Sequence, residues 1–138
     1  MTQQLLKNRR LPSDRPATVT FYDYCSKGEL RFQACADCGE FRHPPRPMCP
    51  HCNSQNIEWK AVKGTGTLYT WTIVVQALDK ILVDDVPIIV GIVELDEGPR
   101  QAAWILGVAE EDLRVGMKLK VSFEAVTDKV ALPQFSPA

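Results

Sequence analysis

No apolar run in this sequence approaches the roughly 18 residues that a membrane-spanning helix needs. No positively charged start is followed by an apolar stretch of signal-peptide length. The expected location is therefore the cytoplasm, where paired cysteines mean metal more often than disulfide, with disulfides as the lesser alternative. Charge of one sign is not in excess either: 16 Lys and Arg stand against 17 Asp and Glu, a formal net charge of −1. Ribbons and small barrels that bind nucleic acid usually carry a clear basic excess, so composition argues against that partner. The sequence has no phosphate-cradling glycine loop, because Gly64-Thr-Gly66 is too short and opens a strand rather than a helix. Ser, His and Asp occur without a nucleophile-elbow or triad signature, and no internal repeat is present.

What is present is a pair of cysteine pairs. Cys35-Ala-Asp-Cys38 is followed by Gly39, and Cys49-Pro-His-Cys52 by Asn53. Two residues between cysteines allow both sulfurs to reach one ion, and a second pair close by completes a tetrahedral four-thiolate shell. Gly39 and Asn53 are the residue types that best tolerate positive φ in the tight turns such pairs require. Four buried, unligated cysteines are the plain alternative. Structural zinc is the expected metal, although four thiolates suit iron as well. With four thiolates in place, His43 and His51 are expected to face solvent. Cys25 is left over; neither Tyr24 nor Ser26 beside it would depress its pKa, so it is expected to be structural or on the surface. A hydrolytic metal needs an open position for water, and four sulfurs close it.

The 138 residues suffice for one domain or two small modules. The cysteine-bearing segment is too short and polar to hold itself together, and bound metal would supply that stability. Three parts are expected: an arm and short helix over 1–29, a zinc ribbon over 30–62 and a barrel over 63–138. Arg9 and Arg10 belong to a solvated arm. Residues 18–26 read as helix or strand, with Thr18 or Thr20 as a candidate cap. Lys63 to Gly66 reads as a hinge. Beyond it the period becomes two, with Thr65, Thr67, Tyr69, Trp71, Ile73 and Val75 on one face and Leu68, Thr70, Thr72 and Val74 on the other. Residues 76–86 read as a loop, 87–95 and 101–106 as a hairpin, 108–113 as one or two helical turns, and 117–123 and 129–135 as two more strands. This is the element order of an OB-fold, a five-stranded barrel with a helix between its third and fourth strands.

Specific residues then carry a resemblance. Gly28-Glu-Leu30 leads to Cys35-x-x-Cys38-Gly39, Pro44-Pro45-Arg46-Pro-x-Cys49-Pro50-x-Cys52 and Gly64-Thr-Gly66-Thr67; after these come Trp71-Thr72-Ile-Val74, Val93-Glu-Leu-Asp-Glu-Gly98, Gly116-Met117 and Val121-x-Phe123-Glu124. From about residue 17 onward the chain resembles the acyl-CoA-associated OB-fold family with an N-terminal rubredoxin-like zinc ribbon, domain-of-unknown-function family thirty-five. The resemblance implies a non-catalytic subunit that assembles with a thiolase-superfamily protein (thiolase, acyltransferase or aldolase) and helps complete its acyl-CoA site. A hydratase-fold protein is a further implied partner. On this reading Phe21, Tyr22, Tyr24 and the tail residue Phe135 would meet the partner, and Arg42, Arg46 and Lys63 would meet phosphates of coenzyme A. A freestanding acyl-CoA-binding module is the alternative. A single-strand nucleic-acid binder stacking bases on Tyr69, Trp71 and Trp104 is a third reading.

Overall fold

A computed structural model describes residues 8–138. The N-terminal arm as expected begins at residue 1, so its first seven residues lie outside the described part. Helix α1 covers Pro16–Ser26 and carries proline in its first turn, where the ring's fixed φ suits the helix and its missing N–H is not needed. Arg15 is the N-cap, not a threonine; Thr20 instead donates back to the Pro16 carbonyl at 2.9 Å.

Two antiparallel sheets follow. The first contains β1 (Arg31–Cys35), β2 (Phe41–Arg42) and β3 (Ile57–Ala61), in the order β2-β1-β3. The second contains β4 (Thr65–Val74), β5 (Ile88–Leu95), β6 (Arg100–Trp104), β7 (Lys118–Ala125) and β8 (Ala131–Pro137), ordered β6-β5-β4-β7-β8. A parallel bridge between Ile105 and Phe135, with Leu106 N donating to the Phe135 carbonyl at 2.7 Å, joins the outer strands and closes the OB barrel. The helical turn expected near residue 110 is a short 3₁₀ segment, Glu110–Asp112, and a second one, Lys80–Leu82, lies in the loop between β4 and β5.

One core serves all parts. Phe21 and Cys25 of α1 and Leu30 and Phe32 of the ribbon pack with Leu68, Val93, Leu95, Ile105, Leu119 and Phe135 of the barrel. The simple alternation expected along β4 fails at one place. The β4–β5 register shifts between Leu68 and Thr70, leaving Tyr69 without a ladder partner. Gly66 and Leu68 face inward before that bulge, while Trp71 and Ile73 pack on the core after it. One inserted residue has moved the buried face from even to odd positions.

The stretch read as a hinge is pinned. Val121 N donates to the Gly64 carbonyl at 2.7 Å, and Lys63 N donates to Glu97 Oε2 at 2.8 Å. Gly64 has φ of +81°, and a Cβ on Gly66 would overlap the Glu94 carbonyl, so both glycines mark close backbone approach. The arm is not free either. Arg9 donates to Asp85 at 3.0 and 3.2 Å and to Glu124 at 2.9 Å, and its guanidinium lies 4.8 Å from the Trp104 ring centroid. Arg10 makes a two-pronged contact with Asp79 at 2.7 and 3.3 Å. These pairs draw the arm across the barrel onto the β4–β5 loop.

Candidate metal centre and neighbouring faces

The four cysteines sit on two knuckles. β1 delivers Cys35, and the turn to β2 carries Cys38 and Gly39, whose φ is +81°. The second knuckle carries Cys49, Cys52 and Asn53, the last at φ of 63°. Gly39 N donates to the Cys35 carbonyl and Asn53 N to the Cys49 carbonyl, both at 2.9 Å, so the two turns repeat one geometry. All four sulfurs lie within 4.8 Å of one another, with Cys35–Cys52 at 3.5 Å and Cys38–Cys49 at 3.6 Å. A tetrahedral ion with metal–sulfur bonds of about 2.3 Å has sulfur–sulfur edges of about 3.8 Å, so the donor set fits one thiophilic metal. A metal with this shell has no vacant position for a substrate or water.

Backbone amides prepare the site for thiolates. The Cys38 amide, 3.5 Å from Cys35 Sγ, is the main influence holding Cys35 down at about 6. Cys49 is lowered chiefly by the Cys52 amide, with the His51 amide 3.4 Å from its sulfur. At Cys38 the Glu40 amide pulls downward, but partial desolvation and the other three sulfurs outweigh it and push the thiol up to about 12. A bound dication removes that conflict, because coordination deprotonates thiols.

His51 is exposed, as expected, but His43 is half-buried and does not simply face solvent. Its ring lies 4.9 Å from Phe21 and 4.8 Å from Phe32, centroid to centroid, and its Nδ1 is buried with no partner. The sequence did not show that α1 folds over this strand and covers the imidazole. Burial lowers the His43 pKa from 6.5 to about 4. Between those values the unfolded chain binds the proton and the folded chain refuses it. The associated stability is therefore complete above about pH 6.5 and is lost as pH falls towards 4, on the order of 3 kcal/mol in all. Urea melts of the metal-loaded protein and of His43→Phe should diverge across this window, the variant showing the shallower loss. Equal slopes would exclude the effect, since metal release is common to both.

The expected partner residues divide in two. Phe21 is 1% exposed and Phe135 0%, so both are spent on the chain's own core and neither can reach a partner as expected. Tyr22 and Tyr24 are half-buried and line a groove of about 690 Å³ beside α1, together with Leu11, Val19 and Val130. Val19, 52% exposed, is the residue of this groove that pattern reading missed, having no role in the core to signal it. Cys25 is buried, and that burial pushes its thiol up to about 12, which fits the structural role expected.

The expected basic residues also divide. Arg42 and Arg46 come together, Arg42 Nε donating to the Arg46 carbonyl at 3.1 Å, beside a cavity they share with His43 and Arg100. Lys63 lines a different depression, with Glu29 and Val121. The rings proposed to stack on bases are already faced: Arg100 lies 3.9 Å from the Tyr69 centroid, Arg9 covers Trp104, and Trp71 packs on the core.

Residues 23–58 match the model of the ChsH2 rubredoxin-like zinc ribbon domain, and residues 59–124 match that of the ChsH2 C-terminal OB-fold domain. A DUF35 domain-containing scaffold protein of Methanocaldococcus jannaschii is 31% identical over 68% of this chain and 67% of its own. A probable enoyl-CoA hydratase alpha subunit of Thermomonospora curvata is 30% identical over 99% of this chain; the chain spans only 44% of that relative's length. Among solved structures, a chain of the Ltp2-ChsH2(DUF35) aldolase superposes with a TM-score of 0.82 at 28% identity, covering 92% of this chain and 98% of that one. No helix among the described residues is long and apolar enough to cross a membrane.

Proposed function

This chain belongs to the DUF35 family of ChsH2-type proteins, a rubredoxin-like zinc ribbon followed by an OB-fold, and from that we propose that it is a non-catalytic accessory subunit of a thiolase-superfamily enzyme. In this reading zinc is the ribbon's structural metal, the assembly is a cytoplasmic hetero-oligomer, and the catalytic residues belong to the partner. The small subunit holds the complex together and contributes to its acyl-CoA site. A hydratase-fold protein is a second partner, in keeping with the hydratase alpha-subunit name of one relative. The observation that carries the reading is the superposition on 98% of a chain of the Ltp2-ChsH2(DUF35) aldolase. The closed sulfur shell agrees with it, because it leaves the metal no place to activate a substrate.

The α1 groove is the docking face in this proposal. Val19 is exposed there and makes no contribution to the core, so a charge on it acts on assembly and not on folding. In co-expression with a tagged thiolase-like partner, Val19→Asp should reduce co-purification by about tenfold while stability changes by less than about 0.5 kcal/mol. Undiminished co-purification would remove α1 from the interface. Calorimetry tests the function as a whole: binding of an acyl-CoA only when the partner is present supports an accessory subunit, and tight binding to the isolated chain supports a freestanding module instead.

A further inference from the structure

Between the ribbon and the barrel lies a cavity of about 390 Å³, walled by Phe41, Arg42, His43 and Arg46 from one side and by Glu94 and Arg100 from the β5–β6 hairpin. Arg42 is only 4% exposed. Its Nε donates to Gln33 Oε1 at 3.1 Å as well as to the Arg46 carbonyl, yet Nη1 and Nη2 are both buried without a partner. Gln33, 1% exposed, spends its Oε1 on Arg42 and on the Arg46 amide at 2.7 Å, and its Nε2 is also unpartnered. The acid on the cavity wall, Glu94, is already paired with Arg100 at 3.0 Å. A guanidinium cannot shed its proton at any ordinary pH, so burial leaves Arg42 a cation in need of a counter-charge.

We propose that this cavity is a binding site for a phosphoryl anion, phosphate or diphosphate. Arg46 and Arg100 at the rim, with the uncommitted guanidinium of Arg42 buried in the wall behind them, favour a compact, multiply charged oxyanion. The imidazole of His43, packed against Phe21 and Phe32, supplies a neutral wall and adds no charge of its own. The site deepens the accessory-subunit reading and rests on it only for the anion's source, since acyl-CoA ligands carry such groups; free phosphate offers the same chemistry.

The test uses the metal-loaded chain of 138 residues titrated with sodium pyrophosphate at constant ionic strength, against chloride, following the melting temperature and the ¹⁵N–¹H signals of the arginine Nε groups. The expected result is a saturable rise of several degrees with shifts of the Arg42 and Arg46 signals. Arg46→Gln, an exposed loop substitution, should weaken the response about tenfold, and Arg42→Met should abolish it. If Arg42→Met does not fold, the double variant Arg46→Gln/Arg100→Gln carries the test. No rise, or a linear rise equal in wild type and Arg46→Gln, overturns the proposal, because anions excluded from protein surfaces stabilise any fold in that way. Displacement of pyrophosphate by coenzyme A assigns the anion to an ester, and failure to displace it assigns a free anion. Co-purification with a thiolase-like protein does not depend on this cavity. A chain that assembles but shows no saturable response therefore loses the anion site alone.

Discussion

Cys38→Ser is expected to abolish stoichiometric metal binding and unfold the ribbon strands β1–β3, while the barrel strands β4–β8 keep their structure. Cys38 is exposed, so the substitution opens no cavity and buries no new polar group. The effect therefore reports the metal. Structural zinc in small ribbons contributes apparent binding free energies of about 10–16 kcal/mol, far more than the short strands around it can supply. β2 is two residues long and β3 is mostly exposed, so without the ion the ribbon has little apolar burial of its own beyond β1. Metal analysis and hydrogen exchange check this together: the variant should lose its metal and its protection over residues 31–61, and retain protection over 88–104. Normal metal content with unchanged protection would contradict it.

Phe135→Ala is expected to destabilise the whole domain by about 3–5 kcal/mol, the cost of removing a buried aromatic ring and leaving its cavity. The ring is fully buried where β8 pairs with β7 and the backbone bridges to Ile105, so it holds the seam at which the barrel closes. Urea unfolding measures the loss directly. A change below about 0.5 kcal/mol would mean that the ring packs on something other than this core, and would return it to the partner interface.

These two residues also show what the sequence made legible. The metal site was readable because its information is local: two-residue spacers, then Gly39 and Asn53 at the positive-φ positions the turns demand. The barrel was readable because alternating strands such as Met117 to Phe123 declare their buried face, and Leu119, Val121 and Phe123 do turn inward while Lys118 and Lys120 turn out. Long-range events were not legible. The bulge at Tyr69 depends on how β5 pairs, which no pattern within β4 encodes. Arg9 reaches an aspartate 76 residues away, so a segment with the composition of a solvated arm becomes a strap. His43 and Phe21 read from the sequence as facing solvent and a partner for one shared reason: the packing of α1 over β1, which buries Phe21 and covers much of His43, leaves no periodic mark in either segment.

The central claim is that one metal ion is held by sulfur alone, so that the chain supports chemistry performed elsewhere. X-ray absorption at the metal edge of the purified protein measures this most directly. Four sulfur scatterers at about 2.3 Å are the predicted result. A nitrogen or oxygen neighbour in the first shell, with the position open to solvent that it implies, would contradict the account.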